Sequence, residues 1–169
     1  MEELLTSIIE RLTSRQASLG LSYIDEEYGQ VDMLDDESRD TYPVTFPAAT
    51  VELRSSNWKD LSQKMQQADV EIAVNVYIDC YDDTHYGSGT IGKVTERMSL
   101  VRSVTEAVQG WHPTNCARSL TRVSSTSETN NHGIKRYQIV FSTTAFESFD
   151  KSRTAEVRTV SIQADLQTE

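Results

Sequence analysis

Residues 68–80 read A-D-V-E-I-A-V-N-V-Y-I-D-C. Val70, Ile72, Val74, Val76, Ile78 and Cys80 take every second position, with Asp69, Glu71, Ala73, Asn75, Tyr77 and Asp79 between them. A pleated strand throws alternate side chains to opposite faces, so the stretch predicts a strand with one oily face and one mostly polar face. The oily face needs a cover. The best one lies downstream in 94–111, where Met98, Val101, Val104, Val108 and Trp111 recur at steps of three and four, the spacing of a helical stripe. Thr95 reads as its N-cap, and Gly110 and Pro113 stop it.

Working outward, Ala49, Val51 and Leu53 alternate with Thr50, Glu52 and Arg54 behind Pro43 and Pro47. This predicts a strand over 48–54, antiparallel to 68–80. Residues 55–67 are polar and tolerate a helix over 59–65, but read better as a connection between the two strands. At the start of the chain Leu4, Leu5, Ile8, Ile9 and Leu12 form an amphipathic helix over 2–14, with Glu2 and Glu3 at the positive end of its dipole. Gly20 breaks that pattern, and 21–24 has the texture of a short strand. Residues 25–40 then hold eight acids (Asp25, Glu26, Glu27, Asp32, Asp35, Asp36, Glu37 and Asp40) against the single base Arg39. Self-repulsion and few apolar residues make this a solvated acidic loop.

Beyond the central strand, Gly87, Gly89 and Gly92 punctuate a loop. Residues 120–124 form a weak strand and 125–133 a turn-rich link. Tyr137, Ile139, Phe141, Thr143 and Ala145 alternate again, predicting a strand over 134–146. Residues 150–169 are polar with Val157, Val160 and Ile162 interspersed, open between a strand added to a neighbour and a loose arm. The expectation is an α+β domain over 1–149: a mainly antiparallel sheet of about four strands with two helices packed on one face, followed by a C-terminal extension at 150–169.

A chain of 169 residues, 37% hydrophobic and 25% charged, can bury a real core as one domain. Its formal net charge of −10 argues against gripping nucleic acid by its phosphates, while remaining compatible with a surface past which DNA slides. Cys80 and Cys116 lack C-x-x-C or Cys/His spacing. A reduced, intracellular setting is the plain reading, with a single bridge as the open alternative. The start, Met1-Glu2-Glu3, carries acids where a secretory signal carries bases, and no apolar run reaches the roughly 20 residues of a membrane span.

Candidate chemistry is sparse. The acids of 25–40 lack the D-x-D-x-D-G spacing of a calcium loop. Asp79, Asp82, Asp83 and His85 cluster near the end of the central strand, where carboxylates and an imidazole could hold Mg²⁺ or Mn²⁺ for phosphodiester hydrolysis. The competing reading is a polar loop whose aspartates supply turn hydrogen bonds. His112 in W-H-P and His132 in N-N-H-G have no nucleophile context such as G-x-S-x-G. The segment G-S-G-T-I-G lacks the lysine of a phosphate-binding loop. Trp58 and Trp111 read as packing anchors, not a stacking platform for bases.

The segments L-L-T-S-I-I-E-R-L, P-A-A-T-V-E-L, Q-A-D-V-E-I-A-V-N-V-Y-I-D-C, E-R-M-S-L-V-R-S-V-T-E-A-V-Q-G-W and K-R-Y-Q-I-V-F-S-T-T-A-F-E, in that order, carry a family likeness. Over residues 1–147 the chain resembles the tail terminator (tail completion) proteins of long-tailed bacteriophages, in element order and texture more than in any one motif. The resemblance implies a compact fold that assembles as a homo-oligomeric ring, commonly a hexamer. Such a ring caps the tail tube protein, ends its polymerisation, presents a surface to a head-completion or neck protein, and lets DNA pass through its hole. It implies no catalysis and no cofactor, and a place in the virion after assembly in the host cytoplasm. The acidic insertion at 25–40 and the tail after Phe149 depart from the pattern. Asp32, Asp35, Asp36 and Glu37 are candidate contacts, either lumen-facing or against an adjoining tail component, and Val157, Val160 and Ile162 are candidates for reaching a neighbouring copy. The alternatives are another neck component, a metal-dependent hydrolase using Asp79, Asp82, Asp83 and His85, and a small monomeric bacterial binding module.

Overall fold

The expected central strand lies at the middle of the sheet. The structure is a computed structural model that describes residues 1–34, 43–82, 84–129 and 133–149. Its elements are α1 (Glu2–Thr13), α2 (Gln16–Leu19), β1 (Tyr23–Glu26), β2 (Ala48–Ser62), β3 (Met65–Asp79), α3 (Gly92–Val108), β4 (Thr121–Thr129) and β5 (Ile134–Ser148). They build one sheet in the order β1-β2-β3-β5-β4. The β2–β3, β3–β5 and β5–β4 pairs are antiparallel, and β1 runs parallel to β2. The fold is α+β as expected, but the sheet is mixed and has five strands.

Register assigns the two faces. Val74 stands opposite Val51 on β2 and Ile139 on β5, and Ile72 opposite Phe141. These side chains are buried together with Val70, Val76 and Ile78. Leu4, Ile8 and Leu12 of α1 and Val104, Ala107 and Val108 of α3 complete the same core, so both long helices cover the oily face. Arg11 ties the layer together, its Nε–H donating to the Ala107 carbonyl at 2.6 Å while its guanidinium lies 4.9 Å over the Trp111 ring. Gly20, at φ +70°, takes the left-handed cap position that ends α2 and turns the chain into β1.

Four expectations need correction. Residues 55–67 are not a connection: β2 continues to Ser62 and β3 starts at Met65, so the two strands form one long hairpin. Much of the extension is exposed on both faces, so it lacks the alternation that marks a half-buried strand, and main-chain pairing holds it instead. The link at 125–133 is partly strand for the same reason, because all nine residues of β4 are exposed. The helix starts at Gly92 with Ile91 at its N-cap and no side-chain cap bond, which leaves Thr95 inside its first turn. Cys80 lies just past β3 and is half-buried, so the oily face ends at Ile78.

The other face of β3 also differs from expectation. Ala73, Asn75 and Tyr77 are as buried as their oily neighbours. Part of the acidic segment covers them. Asp25 and Glu26 belong to β1, and Gln30 and Val31 are each only 1% exposed. Val31 and Val44 pack with Ala48, Tyr77 and Ile134 in a second, smaller core. Residues 27–34 therefore form a strap across the upper half of the polar face, not a solvated loop.

Candidate functional site

Glu27 anchors the strap. Its Oε2 accepts from the Thr50 hydroxyl, from the Tyr77 hydroxyl at 2.6 Å and from Asn75 Nδ2 at 3.2 Å, and its Oε1 accepts the Gly29 N–H at 2.9 Å. Thr50 and Asn75 face each other across β2 and β3 and are fully buried. The chain of bonds continues from Gln138 Nε2 to Asn75 Oδ1 at 2.9 Å and from Arg54 Nη1 to Gln138 Oε1 at 3.0 Å. A buried hydroxyl and amide demand partners, and one carboxylate from an acid-rich segment supplies them. Burial, and then the bond to Glu27, push the Tyr77 phenol well above its usual range. Burial and the Asp25 carboxylate, 2.5 Å from the Tyr23 hydroxyl, do the same to Tyr23.

Below the strap the same face is polar and open. A shallow groove of about 180 Å³ runs there between Ser55, Asn57, Asp69, Glu71, Arg118 and Ser142. Arg118 Nη2 donates to Thr144 Oγ1 at 2.6 Å, and Thr144 donates to Asp69 Oδ1 at 2.9 Å.

The sheet has two open edges among the described residues. β1 covers β2 only from Ala48 to Val51, so β2 is uncovered from residue 53 to its end. On the far side β4 is the last strand. Large apolar side chains stand out at both edges: Leu53 and Leu61 on β2, and Val123 on β4 at 52% exposure. Phe146 and Phe149 are also exposed near the hairpin tip, where the Phe149 N–H donates to the Lys64 carbonyl.

The residues singled out from the sequence fare unequally. Asp32 is exposed in a turn of the strap. Asp35, Asp36, Glu37, Val157, Val160 and Ile162 lie outside the described residues, as do Asp83 and His132. Asp79 and Asp82 line one groove of about 250 Å³, but they share it with Lys93, Glu96 and Arg97. Lys93 and Arg97 place positive charge where a cation would have to sit. No group of three metal-ligating side chains occurs among the described residues. His85 is exposed, and His112 Nδ1 lies 3.0 Å from the Pro113 carbonyl oxygen. Cys80 and Cys116 are free thiols, and burial raises the Cys116 thiol pKa. Trp58 and Trp111 are both half-buried against the main core, as packing anchors.

No model of a known protein family matches the chain, and no curated protein does. Among solved structures, the chain is similar to one in "Virion of native gene transfer agent (GTA) particle". The likeness is one of fold. It has a TM-score of 0.50 at 12% identity and covers 82% of this chain and 91% of that one.

Sequence reading missed Glu27, the strap and both open edges. The signal for Glu27 was Asn75, an amide in the middle of a strand flanked by apolar residues, which requires a partner if that face is covered.

Proposed function

We propose that the chain is a structural virion protein that closes the tail tube of a phage or phage-like particle as a homo-oligomeric ring. The ring ends tube polymerisation, meets a head-completion or neck protein on its other side, and lets DNA pass without holding it. The fold likeness to a chain of the gene transfer agent virion, over 82% of this chain and 91% of that one, supports the placing of this chain in a virion. Two further observations support it. α1, β2, β3, α3, β4 and β5 come in the order on which the resemblance to tail terminators rests, with α2 and β1 added between the first two. The sheet also leaves two edges open for other copies among the described residues, and main-chain pairing needs no special sequence. The net charge of −10 suits a hole through which DNA moves freely.

In this reading Asp32 and the adjoining acids Asp35, Asp36 and Glu37 meet the lumen or the next tail component, and Val157, Val160 and Ile162 reach a neighbouring copy. The test is electron microscopy of particles made without the protein. Overlong tubes without heads are expected, and tails of normal length joined to heads would overturn the reading.

A further inference from the structure

We infer that copies of this chain join edge to edge, the 55–60 run of β2 in one copy pairing antiparallel with the 124–129 run of β4 in the next. Each run is an uninterrupted stretch between ladder irregularities or ends. Register shifts fall at Leu53/Ser55 and Asp60/Ser62 in β2 and at Arg122/Ser124 in β4. Neither run contains the proline, or the row of lysines, by which natural proteins blunt exposed edges. Both are bordered by exposed apolar side chains, Leu53 and Leu61 on one side and Val123 on the other, which the joint would cover.

Topology sets the direction. Three successive antiparallel pairings make β4 run opposite to β2 within one copy. A neighbour that follows around a ring with its strands tilted to the ring axis, as strands follow one another around a barrel, keeps the sense of its strands and therefore presents its β2 antiparallel to this β4. Because the two edges differ, the contact is head-to-tail, the kind that closes into rings. Register sets the stagger. Through β5, the 124–129 run is level with residues 73–78 of β3, while the 55–60 run is level with 66–71. Joining them with the two faces kept continuous, Asn57 opposite Thr126 or Glu128, displaces each copy by six or eight residues along the strands, roughly 20 or 26 Å, over four strand spacings of together roughly 19 Å. Those slopes are tilts of roughly 46° and 54°, the first close to the 35–45° typical of closed sheets and both far from the zero of a flat stack. β1 blocks the unstaggered alternative by occupying the upper part of the β2 edge.

The pairing rests on the ring-forming reading, and the test separates the two. Asn57 and Thr126 lie on the same face of the sheet, as do Asn57 and Glu128. In a background of Cys80→Ser and Cys116→Ser, the full chain would carry Asn57→Cys with Thr126→Cys or with Glu128→Cys. It would be oxidised both free at high concentration and bound to tail tubes. A ladder of covalent oligomers from at least one double variant, absent from each single variant, is expected. Ser125→Pro with Ser127→Pro removes two edge N–H groups, and should abolish oligomers while leaving the monomer's circular dichroism unchanged. Rings on tubes with no cross-link from either pair would overturn the edge pairing and leave the proposed function standing. Dimers from Thr126→Cys alone would show β4 pairing with itself and overturn it. A ladder together with normal tails in particles lacking the protein would support the edges and sink the function.

Discussion

Glu27 shows how one side chain decides what a surface does. Four donors converge on its carboxylate, and two of them, Thr50 and Asn75, have no access to water. Glu27→Ala leaves a buried hydroxyl and amide short of a partner, each worth about 1–3 kcal/mol. A loss of about 3 kcal/mol in urea unfolding is expected, with faster proteolysis of the strap, and a loss below about 0.5 kcal/mol would show that the network does not hold the strap. Tyr77 gives a pH signature. Its folded pKa is raised by burial and then by Glu27, while the unfolded phenol ionises near 10. The stability it confers is thus whole below pH 10 and is lost as pH rises above that value, by up to about 1.4 kcal/mol per pH unit. Tyr77→Phe should flatten the fall of stability between pH 10 and 11, and an unchanged slope would contradict the assignment. None of this was legible from the acidic composition of 25–40. Like-charge blocks usually stay in water, and the demand that pulled Glu27 onto the sheet comes from residues far along the chain.

At the level of elements, patterning succeeded wherever a face is buried on one side and failed elsewhere. The stripe of α1, the stripe of α3 from Val101 to Val108, the antiparallel pairing of β2 with β3, and the alternation in β5 follow from burial against a single core. Met98, expected on the α3 stripe, is exposed, and Trp111 packs on the core from beyond the end of the helix. Ile8→Ala in α1 is expected to cost about 2–5 kcal/mol in thermal or urea unfolding, because that side chain is fully enclosed. A cost under 1 kcal/mol would mean that the helix layer is loosely packed. The hairpin extension and β4 carry serines and threonines on both faces, so no period distinguishes them from turns. Where the N-terminal part of α3 meets the end of β3, Lys93 and Arg97 stand in the same groove as Asp79 and Asp82. Titration with Mg²⁺ or Mn²⁺ is accordingly expected to give no saturable heat there. Stoichiometric binding lost on Asp82→Ala would revive the hydrolase reading.

At the scale of the molecule, a sheet covered by helices on one side keeps its backbone donors and acceptors free at two unlike edges among the described residues. Those edges are what the proposed pairing of copies would use. The ring, the tube and the neck were read from a family resemblance, since subunit number and partner identity are written in contacts between chains, which a single sequence does not display. The most direct measurement adds the purified chain to tail tubes as they polymerise and images them by electron microscopy. The account predicts a ring of density at tube ends and growth arrested at a length set by the time of addition. Tubes that lengthen unchanged, with bare ends, would contradict it.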